Sequence, residues 1–453
     1  MAIAAAPFPS WVMMEYFVFR RDDDESFPDD GKAPIRVTGT TSWNAPFRLA
    51  FCLAEPPLIS RMYAQFPGFP DPTKQRPLAI QTAHRHLFLF RVGACTPALG
   101  GVVLQDFFVY NANNPSSLIA LPACTEPYPD YSRADCRLPR RPPSEKEERR
   151  MLTVGSMGLL RRGEGEEFAV AELGVYPTRH NKVYADVCVL YSSSTSAGLG
   201  LGDKWNSMRI PIILGVEDPD DVSQLCILLC DVFADAGPAV SFLRFPLNKF
   251  PSTRGRESSW VYRGASVVDA GPFFGVDGVG YGPLKPGAGF TITCHTLVTL
   301  TSGQMVWNED YKITSDELWS LNSSECLPRD ILMFPQVNID NPHKVHFLMS
   351  EFEWALKKMW VVVINMKTKT VDSFSKYING MEGLETDDGD LTRKRSEAPM
   401  SFLPCEFSKF LQPSIFSKSS AWTKLMESGS STTLYNIYSH IATLPPSIAS
   451  ASA

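Results

Sequence analysis

Proline interrupts this chain too often for it to be built from long helices. There are 36 prolines among 453 residues, about 8% against a usual ~5%. Each one inside a helix would remove a hydrogen bond and clash with the preceding turn. Between the prolines the apolar runs are short. Met359–Ile364 and Leu225–Phe233 are the densest, strand-sized and far below the ~18 residues of a membrane-spanning helix. A hydrophobic fraction of 44% and a charged fraction of 20% exclude wholesale disorder. A net charge of −6 argues against a broad nucleic-acid-binding surface. Neither nucleic acid nor a membrane is therefore expected as a partner.

The recurring unit is a short apolar strand, a turn and a second strand. In Gln105–Pro122, a strand is expected at Asp106–Tyr110, a turn dense in Asn, Pro and Ser at Asn111–Ser117, and a second strand at Leu118–Leu121. Looser copies follow. Val183–Tyr191 leads through a Ser/Gly loop to Lys204–Pro211, and Phe290–Leu300 leads to Met305–Asp310. Met359–Met366 turns through Lys367–Thr370 into Val371–Ile378. One helical turn is expected at Ser315–Leu321, capped by Ser315. Strand pairs at irregular spacing with few helical faces predict an all-β, mostly antiparallel fold, a sandwich or a propeller. Repeats of about 40–50 residues per blade, less the insertions, give about six to eight blades.

Residues 1–10 are expected to be disordered, 11–410 to form one propeller-like β domain, and 411–453 to be a Ser/Thr-rich irregular tail with a weak helix around Trp422–Met426. Arg133–Arg150 carries seven basic and four acidic side chains without apolar periodicity, and is read as a solvated loop. Asp387–Glu397 is read as a second charged loop, ending in the cluster Arg393-Lys394-Arg395, a weak nuclear-import hint. The N-terminus has no Lys or Arg before Arg20 and is broken by Pro7 and Pro9, so no signal peptide is expected. With ten scattered cysteines, free thiols in the cytosol or nucleus are expected, and the triplet Asn322-Ser323-Ser324 is expected to be idle.

No catalytic, cofactor-binding or metal site is assigned, and no cofactor is expected. His84 and His86 lie two apart, so a strand would turn both to one side as a metal pair, but no third ligand stands nearby. His343 and His346, three apart, would face opposite ways, as would the adjacent Cys294 and His295. Cys226 and Cys230 sit in an apolar run and read as buried structural thiols. Gly198–Lys204 lacks the ending of a phosphate loop and reads as a hairpin loop. Gly155-Ser156-Met157-Gly158 falls short of a nucleophile elbow, and Asp387-Asp388 has nothing to desolvate one member.

Several segments carry a resemblance. Trp11–Glu15 with Arg20–Pro28, Asp106–Asn111, Lys204-Trp205, Phe242–Pro246, Val306-Trp307 with Thr314–Trp319, and Trp360–Ile364 together resemble the grass-rich plant family whose shared domain is called DUF1618. The likeness runs from about Trp11 to Phe410. The resemblance implies a strand pattern similar to the propeller-like domains that follow F-boxes, and it implies no catalytic residues, since the family's function is unknown. No F-box helix bundle is read ahead of Trp11. A strand pair that the family carries before Cys230–Phe233 is read as missing near Leu225, which would leave an unpaired edge.

The expected function is a non-enzymatic protein-interaction module using the loops 133–150 and 387–397, with protein partners of unspecified identity. The alternatives are an enzyme with a site assembled across blades, or a divergent copy without retained activity. A deep pocket joining two or more of His84, His86, Asp186, His295 and Glu309 would favour the enzyme.

Overall fold

Strand β1 (Val12–Arg20) shows how these apolar runs are used, because eight of its nine residues are buried. Val12, Met14 and Val18 belong to one apolar cluster, whereas Met13, Phe17 and Phe19 belong to another. A strand sandwiched in this way loses the polar face of a half-exposed sheet and reads as a continuous apolar run. The computed structural model describes residues 8–69, 77–96, 102–114, 118–127, 150–153, 155–163, 166–177, 183–195, 198–201, 204–212, 226–235, 237–244, 263–265, 272–277, 289–300, 305–321, 332–352, 356–378, 391, 395 and 401–411.

Among the described residues the strands form six sheets, met nearly in sequence order. The first contains β1, β2 (Ile35–Thr40), β3 (Pro46–Cys52) and β4 (Ile59–Gln65), together with β24 (Phe402–Cys405) from the far end of the described chain. Here β1 pairs in parallel with β4 and antiparallel with β24, Val12 standing opposite Cys405. The second sheet runs β5 (Leu78–His84), β6 (Leu87–Thr96), β7 (Val102–Asn111) and β8 (Leu118–Ala120). The third holds β9 (Met157–Arg161), β10 (Phe168–Pro177), β11 (Val183–Thr195), β12 (Gly198–Leu201) and β13 (Asn206–Ile212). Then come the pair β14 (Cys226–Asp231) and β15 (Ala239–Arg244), and the sheet β16 (Arg263–Ala265), β17 (Pro272–Asp277), β18 (Thr291–Thr299) and β19 (Met305–Thr314). The sixth is β20 (Met333–Val337), β21 (Lys344–Phe352), β22 (Leu356–Asn365) and β23 (Thr370–Ile378). All pairings but β1–β4 are antiparallel, so the all-β, mostly antiparallel expectation holds.

Apolar cores join most neighbouring sheets. Phe47, Phe51, Phe88, Phe90, Phe108 and Tyr110 join the first sheet to the second. Leu87 and Leu89, on the other face of β6, pack with Phe168, Val170 and Leu190 of the third. Ala169, Val187 and Val189 in turn meet Cys230 and Val232. Ile292, Ile313, Val345, Val362 and Ile364 join the fifth and sixth sheets, and the same core takes in Met13, Phe17 and Phe19 of the first. The leading strands also touch: β5 lies against β9, β16 against β20, and β24 against both β20 and β5.

Several expected elements shift. The strand expected at Asp106–Tyr110 spans Val102–Asn111, and Asn111 shapes its turn by accepting a hydrogen bond from the Asn113 N–H on Oδ1 (2.9 Å). The glycine-rich stretch expected as a hairpin loop is strand β12, pairing Gly198–Leu201 with Ser192–Thr195. Its glycines carry little β-propensity, and the backbone ladder with Ser192–Thr195 is joined by Leu201 packing against the apolar core. Helix α1 (Ser315–Leu321) stands where expected, but its cap is Thr314. Thr314 Oγ1 accepts from Glu317 N (3.2 Å), and Glu317 Oε2 accepts from Thr314 N (2.9 Å), a reciprocal capping box. Ser315 Oγ is turned elsewhere and accepts from Phe290 N (3.2 Å). At the N-terminus Phe8 already packs against the core. Among the described residues no helix is long and apolar enough to cross a membrane. The expected missing strand pair before Leu225 and the tail beyond Leu411 lie outside the described residues.

Candidate functional site

Two carboxylates stand out because they occur in the middle of apolar strands. An ionised carboxylate buried this way needs a cation and hydrogen-bond donors. Glu15 of β1 is fully buried, and Arg395 supplies the cation: Nη2 and Nε donate to Glu15 Oε2 at 2.7 and 3.2 Å. Tyr377 of β23 donates its hydroxyl to the same oxygen (2.7 Å), while the Phe17 N–H donates to Oε1 (3.1 Å). The guanidinium lies over the Phe402 ring, 4.8 Å from its centroid. Burial, followed by the Glu15 charge, pushes the Tyr377 phenol well above its ordinary value, so it acts only as a donor. This cluster ties the first sheet to the sixth and holds Arg395 from the charged segment 387–397.

Glu172 of β10 plays the same part for the other charged segment. It is 4% exposed, as is Arg150, whose Nη2 donates to Glu172 Oε2 at 2.7 Å. The Thr153 N–H donates to Oε1 (2.6 Å), and Arg150 Nη1 donates to Ser207 Oγ (3.3 Å). The Arg150 N–H also donates to the Cys124 carbonyl (3.0 Å), which joins the two described ends that flank 128–149. Around this tie, Gln105 exchanges hydrogen bonds with the Leu152 backbone (2.8 and 3.0 Å), and Trp205 Nε1 donates to the Pro122 carbonyl (2.8 Å). Cys124 and Cys188 lie between them, sulfur to sulfur 3.6 Å apart.

These findings correct the reading of 133–150 as a solvated loop at its last residue, and place two residues of the second charged loop in the core. Arg150, Arg395 and Leu391 are buried, and Arg395 therefore cannot serve the nuclear-import cluster assigned to it without leaving the core. The remainder of both segments, 133–149 and most of 387–397, lies outside the described residues.

The residues weighed for metal or acid–base chemistry are dispersed. His84 ends β5, and Arg85, at φ 51°, turns the chain so that His86 falls in the β5–β6 hairpin turn. The expected two-on-one-strand geometry is thus not formed. His84 Nδ1 accepts the Arg161 N–H (3.1 Å), and burial, reinforced by Arg85 and Arg161, lowers its pKa to about 4. His86 is fully buried with its ring edge toward Phe410 (5.5 Å between centroids), and its Nε2 lies 3.9 Å from Glu166 Oε2. Burial also lowers its pKa, Arg161 adding to the effect.

Asp186 is held by Arg209 in a two-pronged pair (2.9 and 3.2 Å) on β11. His295 and Glu309 face each other across the β18–β19 ladder, yet His295 is buried and Glu309 is exposed. His346 is buried against Trp11 (5.4 Å between ring centroids), whereas His343 sits in the turn before β21. Among the described residues no group of three His, Cys, Asp or Glu is placed to hold a metal ion. A cleft of about 430 Å³ lies elsewhere, between residues 24–32 and the side chains of Arg36 and Arg48, and none of the five candidates lines it.

Sequence reasoning passed over Glu15, Glu172, Tyr377, Gln105 and the Cys124–Cys188 pair. For the carboxylates a signal was present: a lone acid within VMMEYFVFR and another within FAVAELGVYP. For the thiols, 64 residues apart in the chain, there was none.

Residues 221–346 match the family model described as "Protein of unknown function (DUF1618)". That span includes Phe242–Pro246, Val306-Trp307 and Thr314–Trp319, but the resembling segments at Trp11, Asp106, Lys204 and Trp360 fall outside it. No curated protein matches the sequence. Among solved structures, two substituted forms of B. megaterium levansucrase align at 8% identity with TM-scores of 0.25 and 0.24. The alignments cover 80% and 81% of this chain and 93% of theirs. Scores this low carry no argument about fold or activity.

Proposed function

We propose that this protein, part of which matches DUF1618, is a propeller-like, non-enzymatic interaction module of the cytosol or nucleus. The charged segments 133–150 and 387–397 supply its contacts with protein partners. Among the described residues, apolar cores run from the first sheet through the second and third to the β14–β15 pair, and from the fifth through the sixth back to the first. There β24 returns, and this supports the propeller-like reading. The observation that carries the functional reading is the repeated anchor. Each charged segment gives one arginine to a buried glutamate, Arg150 to Glu172 and Arg395 to Glu15. Anchoring a variable segment to a rigid β scaffold is how loops present recognition groups without disturbing the strands beneath them.

The test replaces residues 133–148 and 387–390 by neutral Gly/Ser sequence while Arg150, Leu391 and Arg395 are kept. Proximity labelling in plant cells then compares this variant with the parent chain, after matched melting curves have shown an intact fold. Loss of a shared set of labelled proteins is expected. An unchanged labelling profile refutes the reading.

A further inference from the structure

Cys124 and Cys188 are the pair of described thiols whose sulfurs approach each other, at 3.6 Å, and neither is in a disulfide. They come from different sheets' territory: Cys124 follows β8, while Cys188 lies in β11 and points with Leu190 toward the second sheet. Their separation has to shrink only to about 2 Å for a covalent bond. Cys188 is fully buried and Cys124 is 4% exposed, so a small reagent reaches Cys124 first.

The surroundings favour the same order. The hydrogen bond shared with Cys188, in which either sulfur can donate, holds the Cys124 thiol below its ordinary pKa against the effect of burial, with a backbone hydrogen bond and the Arg150 guanidinium acting the same way. The same hydrogen bond, followed by burial, pushes Cys188 up. In such a pair the accepting sulfur is the readier nucleophile, and the slight exposure of Cys124 and the nearby Arg150 charge favour Cys124 for that part, with Cys188 as the resolving thiol.

We propose that Cys124 and Cys188 form an oxidation site, which a hydroperoxide converts to a disulfide joining β11 to the segment after β8. In the first step Cys124 Sγ attacks one peroxide oxygen, the O–O bond breaks, and the departing hydroxide leaves as water with the Cys124 proton. Cys124 is then a sulfenic acid. In the second step Cys188 Sγ attacks the Cys124 sulfur, the S–S bond forms and the S–O bond breaks. The hydroxyl leaves as a second water, taking the Cys188 proton. Two thiols and one hydrogen peroxide give one disulfide and two waters; the sulfurs lose two electrons and the peroxide oxygens gain them. A dithiol reductant reverses the state by exchange. The disulfide would fasten the place where Arg150 meets Cys124, beside the Glu172 anchor. The chemistry does not depend on the interaction reading.

The experiment treats the reduced full-length chain with hydrogen peroxide, blocks remaining thiols by alkylation, and maps the peptides by mass spectrometry. A peptide linking Cys124 to Cys188 is expected, both residues becoming resistant to alkylation together and recovering with dithiothreitol. In Cys188→Ala, Cys124 is expected to accumulate as a sulfenic acid trapped by dimedone, and in Cys124→Ser, Cys188 is expected to stay reduced. The linked peptide is read on the wild-type chain, so a poorly folding variant does not decide the matter. Oxidation of other cysteines while this pair stays alkylatable, or linkage of Cys124 to a different cysteine, overturns the proposal.

Discussion

Replacing Glu15 by alanine tests the seam between the first and sixth sheets. Glu15 Oε2 accepts from two Arg395 nitrogens and from Tyr377, and Oε1 accepts from Phe17 N. Both charged side chains are at most 1% exposed, so water cannot replace the lost carboxylate without local opening. Breaking one partner of such a buried pair costs about 3–5 kcal/mol. An orphaned buried donor such as the Tyr377 hydroxyl adds about 1–3 kcal/mol on its own scale. Groups of one network do not add fully, so the whole change is about 4–6 kcal/mol. That is a large fraction of the ~5–15 kcal/mol that holds a folded domain together.

Equilibrium urea unfolding, followed by tryptophan fluorescence and far-UV circular dichroism, measures the loss. Hydrogen exchange should show early opening at Phe402–Cys405, where Phe402 packs against Tyr377 and under the Arg395 guanidinium. The double replacement Glu15→Leu with Arg395→Met removes both charges and is expected to recover most of the loss. A single variant within about 1 kcal/mol of the parent, or a double variant as weak as the single, would falsify the buried-pair argument.

Other consequences are as concrete. His346 has its pKa lowered to about 4 by burial, so the unfolded chain takes up a proton near pH 6.5 that the native chain refuses until about pH 4. Stability is therefore full above that upper value and falls as pH drops through the window, by up to ~3 kcal/mol. His84 acts in the same direction. Urea midpoints of His346→Phe against pH should have a shallower slope than the parent, and parallel curves would sink the assignment. Gly39→Ala would place a methyl 2.7 Å from Leu118 Cδ2 and against the Phe47 ring, and should cost about 1–3 kcal/mol in the same urea assay. Thr314→Ala removes the cap of α1 and should cost about 1 kcal/mol, whereas Thr314→Ser should be close to neutral; equal losses in the two variants would contradict the capping box.

The fold class was legible because apolar runs and turn chemistry are local properties. Asn365 shows it well: its Oδ1 accepts the Lys367 and Thr368 N–H groups, at 3.1 and 3.3 Å, and sets the β22–β23 turn where Lys-Thr-Lys-Thr was read. Errors came where two residues could do one job, or where backbone does most of it. Thr314 and Ser315 can both cap, and only the distant Phe290 N–H, which claims Ser315 Oγ, assigns them. Gly198–Leu201 pairs without side chains that advertise a strand, and the Arg85 turn separates two histidines that a regular strand would have aligned. The anchors were legible in principle from Glu15 and Glu172, whose apolar flanks require a buried cation. Which arginine answers each one is not a local property, since Arg395 lies 380 positions from Glu15.

The pairing of Val12 with Cys405 also bears on how the chain is made. A ribosome adding about 5–20 residues per second needs roughly 20–80 s to travel from one to the other. Throughout that interval β1 emerges with the flank that will receive β24 open, and its hydrogen-bonding groups can recruit a strand from another nascent chain. Emergence of β24, rather than synthesis of the first strands, is thus the event that completes the first sheet. A chain cut immediately before residue 402 would carry β1 to β23 and still leave that sheet without its last strand.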